Sequence, residues 1–329
     1  MPPELAIAEP MAPASAWRSA ASRLVAAAAA LFVVTFAEWR EMAHQWWDID
    51  TYAHILLIPP ILAWLAWLRR EELAKTKPEA WRGGLAIVVM GLSLTLLGRA
   101  LGVNLIAQAG AVVALQGVVV TVLGPVAAIL LASPLLYALF LVPFGDEIVG
   151  PLQTVTARIA VGLTHLSGVP ATLHGFYIDT PAGRFIVAEE CSGVKFLIAM
   201  VALGTLVAWT AFQSWKRRIA FLTGAVVVSI VANGIRAWGT IFAAQYVGAE
   251  RAGGIDHLVY GWIFFAVIVG AVLATAWRFF EREPHEAGLT TQQAAGIAAR
   301  YDGQPLSADA ALAFVVAAAI GFAVVARLV

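Results

Sequence analysis

Cys191 is the only cysteine among 329 residues, and it stands in Ala188-Glu189-Glu190-Cys191-Ser192-Gly193, where a polar stretch meets a long apolar run. A lone cysteine forms no disulfide within its own chain and supplies no multi-cysteine metal site. It is either a reactive thiol or a small apolar filler. Two glutamates at the mouth of an apolar helix favour the thiol. Two other residues complete a possible chemistry. Arg236 lies inside a second apolar run, in Asn233-Gly234-Ile235-Arg236, and His257 opens a third, in Gly253-Gly254-Ile255-Asp256-His257. A thiolate is a strong nucleophile. An imidazole can take the thiol proton and return it to a leaving amine. A guanidinium can stabilise the thiolate or the oxyanion of a tetrahedral intermediate. A helix N-terminus and a nearby cation favour the thiolate. Glu189 and Glu190 oppose it unless they point elsewhere or pair with Arg184 or Lys195.

Each residue also has a plainer use. A buried cysteine in a membrane helix is often filler, and a histidine at a helix mouth is often an interfacial polar group. Arg236 could snorkel to the interface or bridge backbone carbonyls. Asn233 reads first as a helix–helix hydrogen-bonding residue. His54, in Tyr52-Ala53-His54, is structural or lines the site. Together with Glu190 and Ser192, Asn233 and His54 form the set expected to support the site or bind substrate. No cofactor or metal is expected.

The elements that must position these groups are membrane helices. The chain is 61% hydrophobic and 13% charged, with mean hydropathy +0.82. Soluble domains are nearer half apolar and a quarter charged. The expected fold is therefore an all-α polytopic membrane protein of about eight to nine transmembrane helices. The formal net charge is zero and suggests no nucleic-acid partner. Twelve tryptophans suit interfacial anchoring. The Ala/Pro-rich N-terminus lacks the features of a cleaved secretory signal.

Apolar runs fall at roughly 20–38, 53–68, 84–103, 105–123, 125–143, 194–212, 219–243, 257–279 and 309–328. The expected division is a cytoplasmic tail at 1–19, a catalytic membrane domain at 20–279, a polar linker at 280–308 and a last helix at 309–329. Basic groups at Arg18 and Arg23, at 69–82, at Lys216 to Arg218, and at Arg278 and Arg282 orient the spans. With the N-terminus inside, all four groups lie in the cytoplasm. The acidic loop at 39–52 and the segment 144–193 then face outward. That orientation brings Cys191, Arg236 and His257 to one membrane depth. Arg236 would lie roughly 10 Å below a helix exit near Ala243, at ~1.5 Å rise per residue.

In the outward segment, apolar residues at 148, 152, 155, 159, 163 and 166 follow helical spacing, opposite Gln153, Thr156 and Arg158. Such a helix either lies on the membrane or packs on its own spans. Residues 172–178 and 184–188 are β-prone around a turn at 179–183, which predicts a short hairpin leading to Cys191.

The blocks Ala188-Glu189-Glu190-Cys191-Ser192-Gly193-Val194, Asn233-Gly234-Ile235-Arg236 and Asp256-His257-Leu258-Val259-Tyr260-Gly261-Trp262 resemble the three signature blocks of the exosortase/archaeosortase family. The likeness extends to Trp47-Asp48 through His54 and to Pro143 through Gln153, and covers about 40 to 280. The third block looks closest to bacterial exosortases associated with exopolysaccharide loci. The resemblance implies a membrane-embedded cysteine protease or transpeptidase of the bacterial inner membrane, with its active site at the periplasmic face. By match, Cys191, Arg236 and His257 are its catalytic residues. Its implied substrates are exported proteins ending in a Pro-Glu-Pro-type motif, an apolar helix and a basic tail. The bilayer is its other implied partner, and an exopolysaccharide or lipid-linked acceptor is compatible with it. The last helix and its linker lie outside the likeness.

Two other readings compete. A polytopic acyl or glycosyl transferase would use His257 and the acidic loop residues and leave Cys191 as filler. A transporter would use Arg236 as an anion site, but would be expected to carry paired broken helices, and no such symmetry is evident.

Overall fold

A computed structural model of the chain describes residues 13–248, 256–301 and 306–327, with the backbone alone at 256–260. It is an all-α polytopic membrane protein. Among the described residues, seven helices are long and apolar enough to cross a membrane, or eight when Ala132–Leu141 and Asp146–Leu166 are counted together. Gly261–Trp277 is a further, shorter apolar helix. The chain divides into two compact units, one formed by Met1–Ile49, Ala53–Pro143 and Gly288–Val329, the other by Asp50–Tyr52 and Phe144–Ala287.

The first unit contains α1 (Ala14–Val34), α2 (Phe36–Asp48), α3 (Ile58–Leu68), α4 (Arg70–Ala74), α5 (Arg82–Leu101), α6 (Asn104–Leu130) and α7 (Ala132–Tyr137). Its centre is the α5–α6 pair. Gly84, Gly91 and Gly98 recur every seven residues on α5, against Thr121, Ala114 and Ala107 of α6. A Cβ at any of the three glycines would stand 2.3 Å from an α6 backbone nitrogen. Small residues at helical spacing let two membrane helices approach to backbone contact, where dispersion replaces a hydrophobic drive that lipid does not provide. The Arg99 guanidinium donates to both Glu38 carboxylate oxygens, at 2.7 and 2.8 Å, so this buried acid is paired.

Two sequence expectations are corrected here. Residues 105–123 and 125–143 are not two spans. The first continues to Leu130 through a kink at Gly124, whose φ of 81° precedes Pro125. Beyond it the chain breaks into α7 and a 3-10 turn. Residues 39–52 are not a plain loop either. Helix resumes after a break at Thr35 and runs to Asp48, and a 3-10 segment then spans Asp50–Leu57.

The second unit holds α8 (Val149–Leu166), β1 (Thr172–His174), β2 (Tyr177–Thr180), β3 (Gly183–Ile186), α9 (Val194–Ala211), α10 (Trp215–Val247) and α11 (Asp256–Trp277). α8 packs on α10, so the helix packed on its own spans is the correct alternative. The face it buries crosses the expected division: Gln153 and Thr156 of the polar side are buried with Leu152 of the apolar side and with Ala157, Ala160 and Thr164, while Arg158, Val155 and Leu166 are exposed. The expected hairpin is a three-stranded antiparallel meander, because the first β-prone run breaks at Gly175, whose φ is 63°. Ile178 pairs with Phe185 across β2 and β3 and is fully buried. Arg184 pairs with Asp179 at 2.6 Å on the same ladder and holds that carboxyl below its usual range.

The linker and last helix comprise α12 (Thr291–Ala298) and α13 (Ala308–Val325), both in the first unit. Thr290 caps α12 through a reciprocal bond with Gln293.

Candidate active site

Cys191 ends a single 3-10 turn, Glu189–Cys191, immediately before α9. Its N–H donates to Ala188 O at 2.9 Å, and Ser192 N–H donates to Glu189 O at 3.0 Å. Gly193 takes the left-handed backbone that starts α9, with φ 89°. There it packs against the Asn233 amide so closely that a Cβ would lie 2.6 Å from Cγ. The small residue after Cys-Ser is therefore required twice, by its dihedral and by its neighbour.

Asn233 is 3% exposed and ties three elements together. Its Nδ2 donates to the Cys191 carbonyl at 3.0 Å and to Thr156 Oγ1 at 2.9 Å. Thr156 Oγ1 in turn donates to Ser192 O at 3.1 Å. Gln153 Nε2 donates to Val187 O at 2.9 Å. The polar stripe of α8 thus satisfies the carbonyls on both sides of the cysteine turn. Buried polar groups require such partners, and a satisfied network fixes one conformation. Asn233 Oδ1 is a buried acceptor with no hydrogen-bond partner among the described residues. The next residue, Gly234, admits Ile159 of α8, since a Cβ there would fall 2.4 Å from Ile159 Cγ2.

Arg236, one turn on from Asn233, is 4% exposed. Its guanidinium lies over the Phe196 ring at 5.3 Å from the centroid, and Phe196 stacks on Phe265 at 4.9 Å. Arg236 and Cys191 both line one cavity of about 410 Å³, with Ile178, Phe185, Val187 and Ile241 among its walls. α10 runs on to Val247, beyond the exit expected near Ala243. Arg236 and Lys195 act electrostatically on the half-buried Cys191 thiol as cations, and Glu190 acts as an anion.

Glu189 and Glu190 are exposed. The partners expected for them are engaged elsewhere: Arg184 with Asp179, and Lys195 with Asp50 at 2.5 Å. Ser192 is buried, and its Oγ accepts from Val194 N–H at 3.3 Å. His54 belongs to the first unit, half-buried in the 3-10 segment. The His257 side chain lies outside the described residues, but its backbone is in the first turn of α11. Four residues on, and so on the same helix face, Gly261 meets Arg236. A Cβ at 261 would stand 3.3 Å from Arg236 Nη1 and 3.5 Å from Phe196 Cζ. Position 257 is one turn N-terminal of that contact.

Thr156, Gln153 and Lys195 join the site without having been singled out for it. A signal for the first two was present. Gln153, Thr156, Ala160 and Thr164 form a small and polar row at 3–4-residue spacing, which is the composition of a helix–helix contact in a membrane.

Among known proteins, the family model described as transmembrane exosortase matches residues 46–274. No curated protein and no solved structure matches the chain. The matched region contains the cysteine turn, the Asn233–Arg236 block and the start of α11. The chain belongs to the transmembrane exosortase family, and with that membership goes the general role of a membrane cysteine transpeptidase.

Proposed function

We propose that this protein is a cysteine-type endopeptidase and transpeptidase that removes the C-terminal sorting signal of exported proteins. The observation that carries this reading is the convergence of Cys191 and buried Arg236 on one cavity, with α11 closing on Arg236 one turn from position 257. Cys191 is the nucleophile, His257 the general base and then acid, and Arg236 the stabiliser of developing negative charge. His257 takes the thiol proton as Sγ attacks the scissile carbonyl carbon. The carbonyl electron pair moves to oxygen, and the resulting oxyanion is held by Arg236. Its collapse breaks the C–N bond, and the leaving amine takes the proton from His257. A thioester remains. An acceptor nucleophile or water then attacks it, and the thiol is restored.

The substrate has a Pro-Glu-Pro-type motif, an apolar helix and a basic tail. The protein resides in the bacterial inner membrane with the thiol at the periplasmic face, so the motif meets Cys191 just outside the hydrocarbon. The distribution of arginine and lysine between the loops supports that orientation. The deciding experiment is co-expression with a tagged protein carrying such a tail. Wild type releases the tail, whereas Cys191→Ala, Arg236→Ala and His257→Ala at matched expression lose at least about 10²-fold, the scale of a lost acid–base or nucleophilic group. Equal processing by Cys191→Ala would end this mechanism.

A further inference from the structure

A second cavity, of about 610 Å³, opens between α10 and α11 at the start of α10. Arg217 lines it, and Arg236 lies nineteen positions further along the same helix. At ~1.5 Å per residue that separation is roughly 28 Å, a full hydrocarbon thickness. The slot is therefore distinct from the thiol cavity.

Its walls are apolar, with Phe212, Phe221, Val228, Val272 and Phe279 among them. Small residues hollow it out. A Cβ built on Gly224, which lines the slot, would meet nothing within 4 Å. Its rim is cationic. Arg217 lines the slot and donates to Phe279 O at 3.3 Å. Arg218 donates to Phe212 O at 2.9 Å. The Arg278 guanidinium lies 5.5 Å from the Phe279 ring centroid. Three guanidiniums thus touch the wall at one end. Glu281 pairs with Arg217 at 3.1 Å and also feels the Arg282 charge, and its other oxygen accepts from Gln213 and Ser214 N–H at 2.7 and 2.8 Å.

We infer that this slot binds one anionic glycerophospholipid of the bilayer, with an acyl chain between α10 and α11 and the phosphate at the Arg217–Arg218–Arg278 rim. An apolar slot closed by cations matches an amphiphile with a negative head, and basic pockets between membrane helices select anionic headgroups. A basic peptide segment would meet like charge there. A zwitterionic lipid would gain less from the rim.

The test uses the full chain, reconstituted in phosphatidylcholine vesicles with or without phosphatidylglycerol, then extracted and weighed intact with its retained lipid. Wild type should retain phosphatidylglycerol in preference to phosphatidylcholine. Arg278→Gln, an exposed change, should retain roughly fivefold less, as expected for one basic group at an anionic surface. Gly224→Leu, whose side chain has room to enter the slot, should expel the lipid without a loss of thermal stability in detergent. Equal retention of both lipids, undiminished retention by either variant, or a bound peptide in place of lipid each overturns the assignment. Cys191→Ala should retain lipid as wild type does, so this outcome is independent of the thiol chemistry.

Discussion

Gly193 lies face to face with the Asn233 amide, 2.6 Å from both Cγ and Nδ2 when a Cβ is built on it. The same amide donates to the Cys191 carbonyl. The residue two positions after the thiol therefore sets how the thiol is held. Gly193→Ala carries about 1–2 kcal/mol for the left-handed backbone alone, and it also pushes Asn233 off that carbonyl. The expected result is a lower melting temperature together with loss of substrate processing. A variant with wild-type processing would show that the contact does not matter.

Thr156 both receives a hydrogen bond from Asn233 and donates to Ser192 O. Thr156→Val strands two buried polar partners, at about 1–3 kcal/mol, whereas Thr156→Ser keeps the hydroxyl. Processing rates should fall at least about tenfold in the valine variant, for which 1.4 kcal/mol suffices, and recover in the serine variant. Parallel loss in both would reduce Thr156 to a packing residue.

Because the chain has one cysteine, any thiol label reports on Cys191 alone. Arg236 is the buried cation sharing its cavity. Arg236→Gln should slow alkylation of Cys191 by iodoacetamide across pH 6–9 by about tenfold or more, since the thiolate is the species that reacts and a nearby cation favours it. Arg236→Lys should not restore the rate, because an ammonium lacks the planar guanidinium that lies over Phe196. Unchanged labelling in the glutamine variant would remove Arg236 from the site.

The α5–α6 pair has no room for side chains at its glycines. Gly91→Val would put a side chain within 2.3 Å of Ala114 N, which is backbone and cannot swing aside. Overpacking of this kind costs about 1–3 kcal/mol or more. Thermal unfolding in detergent should show a clear loss for Gly91→Val. Gly270→Val, where a Cβ meets nothing within 4 Å, should melt as wild type does.

Glu72 holds the linker helix α12 to α4. Its carboxylate accepts from Thr291 N–H at 2.6 Å and from Lys75 Nζ at 2.7 Å. Burial works to raise its pKa, but the Lys75 and Thr291 hydrogen bonds outweigh that and hold it down to about 2. A depressed carboxyl contributes stability above its usual value of 4.5, and loses it as pH falls towards about 2. Protease protection of the 288–301 segment should therefore be constant from pH 7 to 5 and decline below about 4.5. Glu72→Gln should weaken protection at neutral pH and flatten its decline.

Much of the fold was legible in the chain. Long apolar runs, their bounding basic residues and the isolated polar groups inside them read directly as membrane helices, because lipid penalises unpaired backbone and charge wherever they occur. The boundaries near Gly124 and Thr35 were less legible. Hydropathy measures composition along the chain, and a kink at one dihedral changes neither composition nor length. The packing of α8 is not legible for a related reason. Periodicity marks a helix, but the buried face is drawn from both of its expected sides: Leu152 is buried beside Gln153 and Thr156, which satisfy carbonyls of a distant segment, while Arg158 is exposed.

The sequence by itself supplied the candidates: the one thiol, a guanidinium inside an apolar run and an imidazole at a helix mouth, each marked by residue type and by the apolar run around it. Only the tertiary structure decided what surrounds the thiol and the Arg236 guanidinium. Gly193 against Asn233, Thr156 beneath the cysteine turn and Gly261 against Arg236 are contacts between residues far apart in the chain. No local pattern encodes such distances. They follow from how closely helices pack, and that depends on where each helix lacks a side chain.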